Sequence, residues 1–227
     1  MFKMATDDRS LNYKVEGEGG DDHEYTGCET PMRPDAFEMS ENEKTDKIEY
    51  HFREIMKTLG LDVANKSLMN TPRRVARMYV HEVFSGLSPA NKPRITLFAN
   101  EFKYKQMLVE KDITFFSYCE HHFVPIYGKA HVAYISSGKV IGLSKLNRIV
   151  QYYAKRPQVQ ERLTEQIAQE LQNVLQTEDV AILIDAKHMC VSSRGIKDVN
   201  SSTVTSFYGG KFLTEGVRNE FMDYLSL

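Results

Sequence analysis

The chain has 227 residues, three cysteines and a formal net charge of −2. This length accommodates one domain with appendages or two small domains, and it allows a sizeable core that needs no disulfide framework. The first ten residues lack the apolar run of a signal peptide, and no stretch approaches the ~18 consecutive apolar residues of a transmembrane helix. An odd number of cysteines favours a reducing compartment, so we expect a cytoplasmic protein with no membrane partner.

Residues 1–38 form an acidic segment with ten acidic and four basic side chains, which leaves a net charge of +4 for the rest of the chain. The segment is rich in Gly, Asp and Glu and has no apolar periodicity, a composition that predicts a disordered acidic arm. Its cysteine, Cys28, is then a solvated free thiol. The remaining chain has no long Lys/Arg run and no RNA-binding motif, so we expect no nucleic-acid partner; its mild positive charge suits an anionic small molecule.

Residues 39–94 are predicted to be an N-terminal helical region. A capping box formed by Ser40 and Glu43 begins the first helix, and Gly60 ends it. The second helix is predicted to begin with Thr71 as its N-cap. The first turns of this helix carry a basic patch, for which spacing alone favours an ordinary solvated face. The patch consists of Arg73, Arg74 and Arg77.

Residues 95–227 are predicted to form an α+β domain. Apolar residues there alternate with period two in four segments, which is typical of strands. The segments are residues 107–118, 123–136, 179–187 and 203–208. Two helices, the first starting near Ser144, lie between the strand pairs, and a short helix ends the chain. Two strand pairs flanking a helix pair favour an α+β layer.

Two short segments, residues 119–122 (CEHH) and 188–190 (HMC), concentrate the metal-ligating chemistry of the chain. Thiolate and imidazole are the ligands that zinc prefers. Cys119 and His122 have a Cys-x-x-His spacing, and Cys190 would supply a third ligand. Three protein ligands leave the fourth tetrahedral position for water, which is the pattern of a catalytic zinc site rather than a structural one.

The residues alone leave alternatives to a metal site open. Buried cysteines are often small hydrophobes, and Cys119 and Cys190 can also form a disulfide, although no sign of secretion favours one. If the metal site forms, His121 and His188 are histidines beside it that can move protons. Period-two geometry past the strand predicts that His188 and Cys190 share one face.

The chain resembles the GTP cyclohydrolase I family over roughly residues 40–225. Four stretches carry the resemblance: CEHH at 119–122, GKVIGLSKLNRIV at 138–150, RPQVQERLTEQ at 156–166 and HMCVSSRG at 188–195. The resemblance implies the tunnelling fold, in which an antiparallel sheet with a helix pair joins its counterparts into a barrel across subunits. It also implies a homodecamer of two pentamers with active sites at subunit interfaces.

The resemblance further implies a zinc-dependent hydrolytic reaction. The imidazole ring of GTP is opened, formate is released, and 7,8-dihydroneopterin triphosphate is formed as the first step of tetrahydrofolate and pterin biosynthesis. Cys119, His122 and Cys190 match the ligands of one zinc ion per chain. His121 matches the residue that protonates N7 of guanine, and His188 matches a second proton shuttle that acts on the ribose ring oxygen.

Several residues match the family's substrate contacts. Glu161 matches the carboxylate that accepts hydrogen bonds from the N1–H and N2–H groups of guanine, with Gln160 assisting. The residues that match triphosphate contacts are Ser144, Lys145, Arg148 and Arg194. Arg74, with Arg77 beside it, matches a contact contributed by a neighbouring subunit.

Two other functions compete with this one. The nitrile reductase of queuosine biosynthesis shares the tunnelling fold and handles a purine-like base, but it uses a cysteine nucleophile and NADPH and needs no three-ligand metal site. A non-catalytic, zinc-stabilised binding module is the second alternative, and a closed site with His121 or His188 as fourth ligand would favour it.

Overall fold

The computed structural model describes residues 29–227. Most of the predicted acidic arm, residues 1–28 with Cys28, lies outside the described residues. Residues 29–38, which the composition also assigned to the arm, contact the rest of the chain. The hydroxyl of Thr30 accepts hydrogen bonds from Arg156 and from Gln166 at 3.4 and 3.3 Å. The described chain therefore packs against the body before the first helix begins.

The first helix, α1 (Glu41–Thr58), begins and ends as predicted. The Ser40 hydroxyl accepts a hydrogen bond from the Glu43 amide, and the Glu43 carboxylate accepts one from the Ser40 amide, so the capping box is confirmed. Gly60 follows with a φ of 82°, a left-handed conformation that glycine adopts without steric cost. Local features therefore mark both ends of this helix: the capping box at the start and the left-handed glycine after the end.

The second helix, α2 (Thr71–Met78), begins one residue earlier than predicted. Thr71 is its first helical residue, and the capping position belongs to Asn70, whose side chain makes no capping hydrogen bond. The prediction of Thr71 as N-cap was wrong because the helical conformation already includes it. Three short helical turns continue the segment: a π turn at Tyr79–Val83 and 3₁₀ turns at Ser85–Leu87 and Pro89–Asn91.

The remaining chain forms two sheets and four helices. The strands are β1 (Leu97–Ala99), β2 (Met107–Cys119), β3 (Pro125–Ile135), β4 (Lys139–Ile141), β5 (Pro157–Gln158), β6 (Val180–His188) and β7 (Thr203–Tyr208). The helices are α3 (Leu143–Ala154), α4 (Gln160–Leu175), α5 (Met189–Ser192) and α6 (Glu215–Ser226), with a 3₁₀ turn at Gly210–Leu213. The four predicted strands are confirmed. The short strands β1, β4 and β5 were not predicted, because two or three residues cannot show a period.

The main sheet has the strand order β5-β2-β3-β6-β7 and is antiparallel except for the pairing of β5 with β2. Helices α3 and α4 pack on one face over a core that includes Phe115, Tyr134 and Leu163. Helix α6 covers part of the other face through Phe221. The predicted α+β fold, with an antiparallel sheet and a helix pair, is confirmed; closure into a barrel across subunits stays a prediction. None of the helices in residues 29–227 is both long and apolar enough to cross a membrane.

The register of the strands defines two ends of the main sheet. At one end Tyr118 pairs with Pro125, and Ile126 pairs with His188, so β2 ends, β3 begins and β6 ends at the same place. We call this the site end. At the opposite, far end, Met107 pairs with Ile135. Both segments with metal-ligating residues follow strands that finish at the site end.

Candidate metal centre and active site

The CEHH segment forms a tight turn between β2 and β3 that backbone hydrogen bonds hold in place. The Cys119 amide donates to the Val124 carbonyl at 2.9 Å, and the Phe123 amide donates to the Cys119 carbonyl at 2.8 Å. The Glu120 amide donates to the carbonyl of Gln158 in β5 at 3.0 Å. Pairing of β5 with the end of β2 therefore anchors the turn on its outer side.

Cys119, His122 and Cys190 lie together at the site end, with their ligand atoms all within 4.8 Å of one another. The Cys119 Sγ and the His122 Nδ1 are 3.9 Å apart. A tetrahedral zinc ion with Zn–S bonds of ~2.3 Å and Zn–N bonds of ~2.0 Å places its donor atoms roughly 3.5–3.8 Å apart. Two sulfur donors and one imidazole at these separations therefore fit a zinc ion. The predicted grouping of these three residues is confirmed as a group that can bind a metal.

Cys190 reaches this group differently from the prediction. The strand β6 ends at His188, and Cys190 lies in the helical turn α5, so the two residues do not alternate on one strand face. The prediction of a shared strand face was wrong, because the chain turns back immediately after His188. Burial, together with the neighbouring Cys119, raises the pKa of the Cys190 thiol. Both cysteines are free thiols rather than a disulfide.

His121 and His188 have different surroundings. His121 is exposed: its Nδ1 is 3.7 Å from the Cys119 Sγ, and its Nε2 is 3.8 Å from a carboxylate oxygen of Glu120. His188 is partly buried, and its Nε2 is 2.8 Å from the Oε1 of Gln160. Burial lowers the pKa of His188, while the negative charge of Glu161 acts in the opposite direction.

The metal group consists of three residues rather than four. Within residues 29–227, Cys119, His122 and Cys190 form the one cluster of three or more potential ligands, and neither His121 nor His188 joins it. A closed structural zinc site needs four protein ligands. The arrangement therefore favours an open, catalytic type of site over a zinc-stabilised scaffold.

Gln160 and Glu161 begin α4 at the site end, but their environments differ. Glu161 is exposed and close enough to His188 to influence the pKa of the His188 imidazole. The Gln160 side chain is 2% exposed, and its amide nitrogen donates to the carbonyls of Ile184 and Thr203 at 3.1 and 2.8 Å. The amide of Gln160 therefore bonds to the protein, and the assistance of Gln160 in guanine recognition stays a prediction.

The structure adds a residue pair that sequence reasoning missed. Arg162 in α4 donates from Nη1 and Nη2 to the two carboxylate oxygens of Glu120 at 2.5 and 3.4 Å, and both side chains are partly buried. The pair ties the metal-bearing turn to the helix that carries Glu161. Glu120 and Arg162 lie within the CEHH and QERL stretches, but nothing in the sequence shows that those stretches meet.

Arg194 lies at the metal group, as expected of a residue that follows the Cys190 segment. Its Nη1 donates a hydrogen bond to the Nε2 of His122 at 3.0 Å. Among the predicted triphosphate contacts, this arginine is the one that the chain itself brings to the site end.

The other predicted triphosphate contacts lie away from the metal group. Ser144 and Lys145 occupy the first turn of α3, which follows β4 near the far end of the sheet. The opposite end of α3 approaches the site end, where Pro157 pairs with Tyr118. At ~1.5 Å per residue, Ser144 is about 15 Å from Ala154 along the helix axis. Arg148 lies one turn closer and is also exposed.

The basic patch on α2 divides into two parts. Arg73 forms ion pairs with Asp46 and Glu49 of α1, at 2.5 and 3.1 Å, which holds the two helices together. Arg74 and Arg77 are exposed and form no ion pair with any of residues 29–227. The solvated-face interpretation therefore holds for these two arginines within a single chain, and both remain accessible to a ligand or another subunit.

The sequence matches the family described as GTP cyclohydrolase I over residues 48–226. Proteins named GTP cyclohydrolase 1 are similar over most of their length. The protein from Flavobacterium johnsoniae is 59% identical over 92% of this chain and 93% of its own length. Those from Vibrio parahaemolyticus and Escherichia coli are each 54% identical, over 88% and 86% of this chain and 91% and 89% of their own.

Among solved structures, an archaeosine synthase, QueF-Like, in the apo form is similar with a TM-score of 0.41 and 15% identity over 48% of this chain and 97% of its own. That likeness is too distant to bear on function. The family match covers nearly all of the described chain and includes both segments of the metal group. The chain belongs to the GTP cyclohydrolase I family.

Proposed function

We propose that this protein is a zinc-dependent GTP cyclohydrolase I. It opens the imidazole ring of GTP by hydrolysis, releases C8 as formate and forms 7,8-dihydroneopterin triphosphate, the first step of tetrahydrofolate and pterin biosynthesis. The observation that carries the proposal is the open group of Cys119, His122 and Cys190, flanked by two histidines outside the group. In the proposed function each chain holds one zinc ion.

The two thiolates and the imidazole would hold the zinc ion. When bound, zinc supplies Lewis-acid activation of water near neutral pH, which hydrolysis of an amidine carbon requires. The ring carbon C8 of guanine is a poor electrophile until N7 is protonated. His121 is exposed beside Cys119 and can deliver that proton, because its imidazole is not part of the metal group. His188, which is also outside the metal group, is assigned to proton transfer at the ribose ring oxygen.

Glu161 is proposed to recognise guanine. The N1–H and N2–H groups of guanine are adjacent donors, and one carboxylate accepts hydrogen bonds from both. Glu161 is exposed at the start of α4 and close to His188, so a base bound to it lies beside the proposed proton shuttle. The neighbouring Glu120–Arg162 pair fixes the distance between this helix and the metal-bearing turn.

The triphosphate is proposed to bind cations from more than one chain. Arg194 lies at the metal group of its own chain. The first turn of α3 offers the Ser144 hydroxyl and the Lys145 ammonium at a helix N-terminus, with Arg148 one turn later. These groups of α3 lie away from the metal group of the same chain, and Arg74 and Arg77 are exposed, which supports active sites formed between subunits. A homodecamer of two pentamers in the cytoplasm, with sheets joined into a barrel, would provide such interfaces.

Incubation of the purified protein with GTP tests the proposal directly. We expect stoichiometric release of formate and, after oxidation, a fluorescent pterin, with about one zinc per chain by metal analysis. The Cys190→Ser variant is the matched control and should lose both zinc and formate release. Formate release by metal-free Cys190→Ser would contradict the zinc mechanism. NADPH oxidation with a nitrile substrate and no reaction with GTP would favour the reductase instead.

A further inference from the structure

The side chain of Gln160 fills a buried position between α4, β6 and β7. It is 2% exposed, and its amide nitrogen lies 3.1 Å from the Ile184 carbonyl, 2.8 Å from the Thr203 carbonyl and 3.1 Å from the Thr205 hydroxyl. Its amide oxygen lies 2.8 Å from the Nε2 of His188. Every polar atom of the amide therefore bonds to the protein, and none faces open solvent.

The two backbone carbonyls determine which way the amide points. Carbonyl oxygens only accept hydrogen bonds, so the NH₂ group of Gln160 must face Ile184 and Thr203, and the amide oxygen must face His188. A reversed amide would place its oxygen about 3 Å from two carbonyl oxygens and leave both carbonyls without this donor.

The hydroxyl groups of Thr164 and Thr205 support the same orientation of the Gln160 amide. The Thr164 hydroxyl donates to the Gln160 carbonyl at 2.9 Å. Its proton is therefore in use, so in the 2.7 Å contact between the Thr164 and Thr205 hydroxyls the donor is Thr205. The Thr205 oxygen is then left to accept from the Gln160 NH₂ group, as the amide orientation requires.

We propose that Gln160 is a positioning residue that fixes the ring of His188 with a proton on Nε2. An amide oxygen can only accept, so the Nε2 that faces it must be a donor. The tautomer of His188 with a bare Nε2 is excluded. Because Nε2 is held in this hydrogen bond, Nδ1 is the ring nitrogen that carries the lone pair in this tautomer. This deepens the proposed function, on which it rests for the role of His188 in proton transfer.

The tautomer itself can be measured without any enzymatic assay. Magic-angle-spinning NMR of the zinc-loaded protein, labelled with ¹⁵N on the histidine rings, distinguishes Nε2–H from Nδ1–H, and the signal absent from His188→Ala identifies His188. We expect Nε2–H in the wild type and a mixed or reversed tautomer in Gln160→Leu. An Nδ1–H signal for His188 in the wild type would overturn the proposal, even in a protein that turns over GTP.

A double-mutant cycle tests the consequence for the reaction. Gln160→Leu should lower kcat about 10- to 100-fold, as is typical when the partner that orients a functional histidine is lost. In the His188→Ala background the same change should alter the residual rate less than about twofold, because Gln160 then has nothing to position. KM for GTP and zinc content should stay near wild-type values. An equal loss in both backgrounds would show a general structural role and overturn the proposal.

Two further variants keep the test decisive. Gln160→Met keeps the length of the side chain but has neither the amide oxygen nor the NH₂ group, and it replaces Gln160→Leu in the cycle if Gln160→Leu does not fold. Thr205→Val removes one partner of the Gln160 amide without touching His188, and should leave kcat within about threefold. A rise in KM with unchanged kcat for Gln160→Leu would indicate direct substrate contact and reject the positioning role. Loss of formate release by the wild type would refute the proposed function and leave the tautomer result standing.

Discussion

The distance between the metal group and the first turn of α3 predicts how mixed assemblies should behave. Cys190 lies at the site end of the sheet, while Lys145 lies near the far end, and the β2–β3 ladder between the two ends is about 30 Å long. The positions of the two residues near opposite ends of the sheet favour supply of Lys145 to the nucleotide by a neighbouring chain. Cys190→Ser and Lys145→Ala should then inactivate different halves of a shared site.

Simple counting gives the expected size of the effect. When the two single variants are coexpressed at equal levels, about half of all positions in a random assembly carry an intact Cys190 and about half an intact Lys145. If the two residues of one site come from different chains, about one quarter of the sites are complete. If they come from the same chain, no site is complete.

A doubly substituted chain provides the matched control. Coexpression of Cys190→Ser/Lys145→Ala with the wild type also leaves about one quarter of the sites complete when the site is shared, but about one half when it lies within one chain. The assay compares the two mixtures by their formate release per mole of protein. Zinc content is measured on the same samples. Equal activity of the two mixtures supports a shared site. No activity from the single-variant mixture, beside half activity from the control, would refute the reasoning.

Other variants test the remaining assignments. Glu161→Gln places an amide donor against the N1–H and N2–H groups of guanine and should lower kcat/KM for GTP about 10- to 100-fold at unchanged zinc content; unchanged kinetics would remove Glu161 from the site. Arg74→Ala should raise KM for GTP and should complement Cys190→Ser in mixed assemblies; failure to do so would place Arg74 outside the shared site. Burial lowers the pKa of His131, whose Nδ1 accepts a hydrogen bond from the Asp112 amide. As pH falls below about 6.5, His131 is therefore protonated in the unfolded chain before it is protonated in the folded protein. The free energy of unfolding should decrease over this pH range. His131→Asn should show a shallower decline in urea midpoint between pH 7 and 5, and an identical decline would contradict this cause. Deletion of residues 1–28 should leave assembly and turnover nearly intact, and loss of assembly would show that this segment is structural.

Features that depend on neighbours in the chain could be predicted from the sequence. The ends of α1 follow from the hydrogen bonds of Ser40 and Glu43 and from the left-handed Gly60, all of which act within one turn. The grouping of Cys119 and His122 likewise depends on a three-residue spacing. Scarcity of cysteine made Cys190 the natural third member, although its position in a helical turn was not foreseen.

The roles of Gln160, Glu120 and Lys145 depend on residues distant in the sequence. Gln160 was assigned to the substrate, yet the return of β6 and β7 past the start of α4 surrounds its amide with carbonyl groups. Glu120 acquires a partner because strand pairing brings the turn after β2 to α4. Lys145 is separated from the metal group because α3 runs along the sheet. The sequence determined which chemical groups and helix ends the chain contains. Tertiary structure decided which of those groups meet. Strand register and helix direction bring together residues that are far apart in the sequence, and the local sequence around each residue does not indicate its partner.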